Sequence, residues 1–402
     1  MESLKELFKI GNGPSSSHTM GPERAAKEFL SRYPNVKKFK VELYGSLALT
    51  GKGHLTDWII IKTLNPIPTE IIWKPTYIHP YHTNGMKFIA FDSSDQEIGN
   101  WLVFSVGGGS LAEEGETREG SNGPYSTNKI SEIIEWCNSN SKEIWEMVIE
   151  SEGEEIWTFL NDIKEAMFES VETGLSKTGL LPGTIRLPRR AQTFYRKARN
   201  DDSRNGFTGK IFSYTLAVSE ENGSGGKVVT APTCGAAGVI PGLLYALAKE
   251  YDLSNEEILK SLAIAGLFGN SIKVNATISG AEGGCQAEIG SACAMAAAMA
   301  CFILGGTHDQ IEYAAEMALE HHLGLTCDPV GGYVQIPCIE RNAAASVRAL
   351  DAAHYSLYTD GKHSISFDQV VLTMKQVGKD LKDEYKETST GGLAKVIFSN
   401  RC

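Results

Sequence analysis

No stretch of Lys and Arg in this chain is dense enough to follow a phosphate backbone, and the 38 basic residues are outnumbered by 49 acids, giving a net charge of -11. Nucleic acid is therefore excluded as a partner, because that affinity rests on neutralising phosphates. The first residues, MESLKELFKIGNGPSSSH, carry early acids and lack a long apolar core, so no secretory leader is read there and a cytoplasmic location is expected. Repeats of fixed period are absent, and biased composition is confined to the Ala- and Gly-rich residues 276–306. Cysteine pairs two to four residues apart, the usual zinc arrangement, are absent as well. Between Glu288 and His308 there is no charge at all, over nearly the length of a membrane span. Ala, Gly and Ser dominate that stretch, however, so it reads as a helix buried on all sides rather than one that enters a membrane.

What is present is ordinary globular material: 42% hydrophobic and 22% charged residues over 402 positions, more than one core usually serves. Two domains are expected. From about residue 37 to 110, short β-type runs such as KFKVELYGSLAL, KFIAFDS and NWLVFSVGGG alternate with Pro, Gly and Asn punctuation. From about residue 140 the texture turns to helical periodicity, as in EEIWTFLNDIKEAMFESVETGL and RNAAASVRALDAAHYSLY. The reading is α+β, with a β-containing domain over 1–152 and an all-α domain over 153–402, divided at ESEGEE.

Several segments carry chemistry. In GPSSSHTMGP, hydroxyls and backbone amides just before a helix form a cradle for an anion such as a carboxylate, with Ser16, Ser17 and Thr19 around His18. A plain helix cap is the competing reading, against which a titratable imidazole in the cradle points to proton handling. In LTGKGHLTD, glycines put His54 on a tight turn after a strand-like run; a solvent-facing turn histidine is the bland alternative. VGGGS at 106–110 is either a phosphate cradle or a loop. Cys285 follows Gly-Gly, Cys327 precedes Asp-Pro and Cys338 follows Pro, so all three flank helix breaks, where ligands usually sit. Cys293 and Cys301 fall inside the Ala-rich helix and Cys234 in a turn-rich stretch, and these read as small buried hydrophobes. A thiolate-bound iron-sulfur cluster fits the three spaced cysteines better than zinc. Cys402, the last residue, has a free carboxylate and a β-sulfur, which makes it chemically close to serine, although a terminal residue is ordinarily frayed.

Taken in order, GPSSSHTMGP, SLALTGKGH, SVGGG, LPGTIRLPRRA, VVTAPTCGAAGVIPG, SGAEGGCQAEIGSAC and CDPVGGYVQIPCIERNA span nearly the whole chain. This series closely resembles the single-chain, iron-sulfur-dependent bacterial L-serine dehydratases, lyases that convert L-serine to pyruvate and ammonia. The resemblance implies a [4Fe-4S] cluster without pyridoxal phosphate, oxygen sensitivity, a small N-terminal domain similar to the allosteric substrate-binding domain of some phosphoglycerate dehydrogenases, and a homodimer. It makes Cys285, Cys327 and Cys338 the cluster ligands, leaving one iron open for the serine hydroxyl, with Cys402 folding back onto that iron at rest. It implies His54 as base for the Cα proton, Ser16, Ser17, His18 and Thr19 as the carboxylate site, and Lys273 and Asn275 as weaker pocket candidates. Ser110, Leu111 and Leu55 depart from the family pattern and bear on substrate preference. A pyridoxal-phosphate dehydratase using Lys52 and Gly107 to Gly109 would leave the cysteines idle. A non-enzymatic iron-sulfur redox or structural protein would leave the Ser-His segment unexplained, and a dehydratase for another β-hydroxy amino acid is the nearer alternative.

Overall fold

A computed structural model describes residues 1–34, 36–115 and 123–395. Alternation sets the sheet: in β2 (Lys38–Tyr44) Phe39, Val41 and Leu43 point inward while Lys38, Lys40 and Glu42 point out. β2 pairs in parallel with β3 (Thr69–Lys74) and antiparallel with β4 (Gly85–Phe91), which continues through β5 (Glu97–Ser105) to β6 (Leu111–Ala112). The order is β3-β2-β4-β5-β6, a mixed five-stranded sheet. Its apolar face is covered by the helices Gly21–Arg32 and Thr56–Leu64, which bring Ala25, Ala26 and Phe29, and Ile59, Ile60 and Leu64, against Phe39, Val41 and Phe88.

The remainder is helical, as the change of periodicity predicts, and the molecule is α+β. The uncharged stretch forms the helix Ser291–Ile303, buried without interruption from Ser291 to Cys301. Four helices enclose it: Val239–Glu250, Asn255–Asn275, His308–Glu320 and Cys338–Leu357. Ala-rich faces permit the close approach, and an apolar 18-residue window, Gln286–Ile303, is thereby wrapped by protein.

The larger core also takes in residues that precede position 153. Met1, Leu4, Leu7 and Phe8 pack into it, as do Ile130 and Ile133 of the helix Ile130–Asn140 and Ile144, Met147 and Val148 of Ile144–Glu152. The first strand, β1 (Ile10–Asn12), pairs antiparallel with β7 (Lys227–Val229). Polar staples hold the same segment: Leu4 N–H donates to Glu152 Oε1 at 2.7 Å, Ser3 Oγ donates to Glu152, and Lys273 Nζ pairs with Glu2 at 2.6 Å. The chain thus starts in the helical part, crosses to the sheet at about residue 15, and returns, so loops of both parts face one another.

Candidate active site

The Ser-His segment builds one wall. Ser15 caps a wide helical turn over Ser16–Met20, its Oγ accepting from His18 N–H at 3.1 Å, and the turn runs into the helix Gly21–Arg32. Ser16, Ser17, His18 and Thr19 are all buried. His18 Nδ1 lies 3.1 Å from Ser17 Oγ and Nε2 3.2 Å from Ser46 Oγ, the second residue of the short helix Gly45–Thr50 that follows β2. Both ring nitrogens are engaged.

His54 comes from the next turn, and two threonines tie the turns together. Thr19 Oγ1 donates to the His54 carbonyl at 2.7 Å, and Thr56 Oγ1 donates to the His18 carbonyl at 2.6 Å. The two imidazoles sit 4.5 Å apart between centroids, tilted by 37°. His54 Nδ1 is 3.1 Å from the Thr50 carbonyl, which can only accept, so Nδ1 carries the proton and Nε2 keeps its lone pair. That Nε2 is buried and among the described residues has no hydrogen-bond partner. Burial pushes the His54 imidazole down to about 4 against the Thr50 carbonyl, and burial followed by His54 holds His18 well below the usual histidine range.

The cysteines form the opposite wall. Cys285 follows Gly284, whose φ of 72° suits glycine, Cys327 precedes Asp328-Pro329, and Cys338 opens the helix Cys338–Leu357. None is disulfide-bonded. Burial pushes the Cys285 thiol up to about 12, with Glu288 adding to it and Arg341 opposing. Cys327 and Cys338 are held well above the thiol range by burial first; Glu387 and Glu288 follow for Cys327, and Cys285 and Glu288 for Cys338. The segments that carry the three thiols lie side by side, since Gln286 N–H donates to the Leu325 carbonyl at 3.1 Å and Arg341, on the Cys338 helix, reaches the residue before Cys327. Arg341, three residues into the Cys338 helix, binds the Thr326 carbonyl at 2.6 Å and Asp328 Oδ1 at 3.2 Å, and its charge acts on Cys285. By contrast Cys293 donates to the Ala345 carbonyl at 3.3 Å and Cys234 lies 3.3 Å from the Met20 sulfur, both inside the core with Cys301.

Among the described residues no three His, Cys, Asp or Glu gather tightly enough to ligate a single metal ion. Three soft sulfur donors spread around one neighbourhood suit a cluster of several irons with thiolate ligands, in which each sulfur meets its own metal. On the chemistry of the donors, the residues fit a [4Fe-4S] group.

One residue that sequence reasoning missed joins the walls. Cys327 N–H donates to the Tyr385 carbonyl at 2.8 Å and Glu387 N–H to the Cys327 carbonyl at 2.9 Å, a strand-like bridge that carries Glu387 between the histidines. Its Oε1 is 3.8 Å from His18 Nδ1 and 3.9 Å from His54 Nε2. Burial, with Glu288 next, raises its carboxyl well above the usual range. Further along the same segment Ser389 Oγ donates to the Pro329 carbonyl at 2.9 Å and Leu393 N–H to Asp328 Oδ2 at 2.8 Å, so residues 385–393 strap over Cys327. The only hint in sequence was a polar, glycine-ending KETSTGG after the last helix, too common to single out.

Lys273 and Asn275 do not join this group. The Lys273 ammonium is committed to Glu2 and to the Glu6 carbonyl at 3.0 Å, and Asn275 donates to the Asn128 and Ser271 carbonyls at 2.6 and 3.0 Å. Both lie at the end of the helix Asn255–Asn275, whose last turn anchors the chain's N-terminal segment. Thr230 is likewise structural, donating to the Leu7 carbonyl at 2.7 Å, while Thr233 donates to Glu288 at 2.7 Å. The VGGGS loop, with Gly107, Gly108 and Gly109 all at positive φ, packs beside Ser279, Ile278 and the Ser16 turn. Cys402 lies outside the described residues.

Comparison with known proteins agrees in both halves. The serine dehydratase alpha chain family matches residues 126–394, and the serine dehydratase beta chain family residues 3–69. The chain is 38% identical to an L-serine dehydratase of Haemophilus influenzae over the full length of both. It is 39% identical to the L-serine dehydratase TdcG of Escherichia coli, covering 99% of this chain and 100% of that one, and 38% identical to an L-serine dehydratase of Streptomyces coelicolor, covering 98% and 99%.

Proposed function

Since the chain belongs to the serine dehydratase family, with alpha-chain and beta-chain parts on one polypeptide, it is an enzyme, and we propose that it converts L-serine to pyruvate and ammonia. The observation that carries this reading is the free lone pair of His54 Nε2, buried and, among the described residues, unpartnered in the same site as three thiols outside any disulfide.

Elimination of water from serine needs the weakly acidic Cα proton removed and a poor leaving group, hydroxide, made tolerable. His54 is the group that takes the proton. Its Nδ1–H is pinned to the Thr50 carbonyl, which fixes the tautomer, and its depressed basicity keeps Nε2 unprotonated throughout the neutral range. His18 is bonded through both nitrogens and acts as a positioning residue for Ser17 and Ser46. Ser16 and Ser17, at the opening of the turn, offer hydroxyls and amides to the substrate carboxylate, whereas the Thr19 hydroxyl, expected from sequence to join them, is spent on the His54 carbonyl. Cys285, Cys327 and Cys338 would hold a [4Fe-4S] cluster, which when bound supplies a Lewis acid for the departing hydroxide. The strap over residues 385–393 shields the site, so the proton on His54 is not lost to bulk water before the carbon–oxygen bond breaks. Loss of the Cα proton and of hydroxide, together one water, leaves 2-aminoacrylate, which tautomerises to the imine and hydrolyses to pyruvate and ammonium.

The test is pyruvate formation from L-serine by anaerobically purified protein, before and after brief exposure to air, with iron and sulfide measured on the same sample. Activity that follows the cluster supports the reading; a cluster-replete protein inert to serine overturns the substrate. Cys327→Ala should lose iron and activity together, read by absorbance and by turnover, and full activity in that variant overturns the ligand assignment.

A further inference from the structure

We propose that Glu387 receives the α-ammonium group of the amino-acid substrate. The proposal deepens, and rests on, the reading of this site as one for L-serine.

A zwitterion entering a buried site needs both of its charges answered. Ser16 and Ser17 at the opening of the turn answer the carboxylate, and a buried carboxyl oxygen, an acceptor in either protonation state, answers the ammonium. Three acidic side chains adjoin the site among the described residues. Asp328 is taken by Arg341 and the Leu393 amide. Glu288 accepts from Thr233 and lies against Gly235 and Gly280, on the side of the thiols. Glu387 is 6% exposed, faces both imidazoles, and among the described residues has no Lys or Arg within ion-pair distance.

The spacing is also right for a donor-rich guest. Glu387 Oε1 stands 3.9 Å from His54 Nε2, too far for a direct hydrogen bond, and that nitrogen presents a lone pair, not a proton. An ammonium group has three protons and no lone pair. Bound at Glu387, it sets Cα one bond away, beside His54 Nε2. Each substituent of Cα then meets its own wall: ammonium at Glu387, carboxylate at the Ser16–Thr19 turn, hydrogen at His54, and the hydroxymethyl group towards the thiols, to which the Glu387 backbone is tied through Cys327. Four different walls specify one hand of the amino acid.

The experiment measures KM for L-serine and the inhibition constant of 3-hydroxypropionate, which keeps the carboxylate and hydroxyl but lacks the ammonium, in the holoenzyme and in Glu387→Gln with its iron content verified. Loss of one charge-assisted hydrogen bond should raise KM roughly 10- to 100-fold while the inhibitor constant moves less than about twofold. Equal rises in both, or an unchanged KM, overturn the proposal. Should the variant not retain iron, the unaltered enzyme decides through L-alanine and propionate, which differ only by the ammonium: L-alanine should inhibit at least about tenfold more tightly, and equal inhibition overturns the proposal. Absence of pyruvate formation by the unaltered enzyme would instead fail the serine reading itself, whereas normal turnover with unaltered KM in Glu387→Gln fails only the ammonium site.

Discussion

His54 becomes a base through what holds its other nitrogen. The Thr50 carbonyl takes the Nδ1 proton, and burial then keeps Nε2 bare. Replacing it with alanine should leave the cluster's absorbance intact while kcat falls by roughly two to four orders of magnitude, the scale of a general base; near-normal turnover would move the base elsewhere. The same burial has a cost in stability. With the folded imidazole at about 4 and the unfolded one at 6.5, both states are neutral above pH 6.5. As pH falls through that window the unfolded chain takes the proton first, so stability drops by as much as about 3 kcal/mol by pH 4. His54→Gln, which cannot titrate, should lose less Tm between pH 7 and 4.5 than the unaltered protein, and parallel curves would show that the buried imidazole contributes nothing. The motif GKGH made His54 a candidate from sequence alone, whereas its tautomer required Thr50 to be seen across the turn.

The turns, more than the helices, are the elements that build the site. Gly53 stands so near the Gly331–Gly332 turn that an added Cβ would lie 2.5 Å from the Gly332 carbonyl oxygen. This contact joins the His54 turn to the loop that follows Cys327. Gly53→Ala must therefore push the two apart, and a shift approaching 1 Å at the base is expected to lower kcat by about two orders of magnitude with iron content unchanged. Unaltered kcat would show that the turns are not mechanically linked to the chemistry. Helix Ser291–Ile303 was legible for a simple reason: a long uncharged run dominated by small residues packs closely on every side, and the helix is buried from Ser291 to Cys301. Strand pairing was legible only in part, because alternation identifies strands but does not say that β2 pairs in parallel with β3 and antiparallel with β4.

At the scale of the whole molecule, the chain's beginning fastens its two parts. Leu4 and Phe8 lie against Gly266, and Leu7 against Gly269, on the helix Asn255–Asn275, while Lys273 at the end of that helix grips Glu2. The segment then leads directly to Ser15 and the His18 turn. Phe8→Ala should accordingly cost about 3 to 5 kcal/mol, since the vacated volume lies in a fully buried core, and lower Tm well beyond the scatter of surface substitutions. A Tm within about 2 °C of the unaltered protein would show that the N-terminal segment is dispensable for the helical part. The commitment of Lys273 to this anchor is also why it is not a pocket residue: a lysine in a loop-flanked motif looks the same in sequence whether it grips a substrate or the chain's own start.

Composition and local pattern by themselves determined the α+β class, the buried Ala-rich helix, the cradle-like Ser-His turn, and the separation of Cys285, Cys327 and Cys338 at helix breaks from Cys293 and Cys301 inside a helix. These follow from periodicity, capping chemistry and the turn residues, all of which act over a few positions. Only the tertiary structure decided that Glu387 reaches the histidines, that Thr19 and Thr56 cross-brace their turns, that Arg341 attends Cys285, and that Lys273 serves the N-terminus. Each of those contacts joins residues far apart in the chain or on different elements, with side chains of a kind found on any surface, and burial alone turns them into parts of a site.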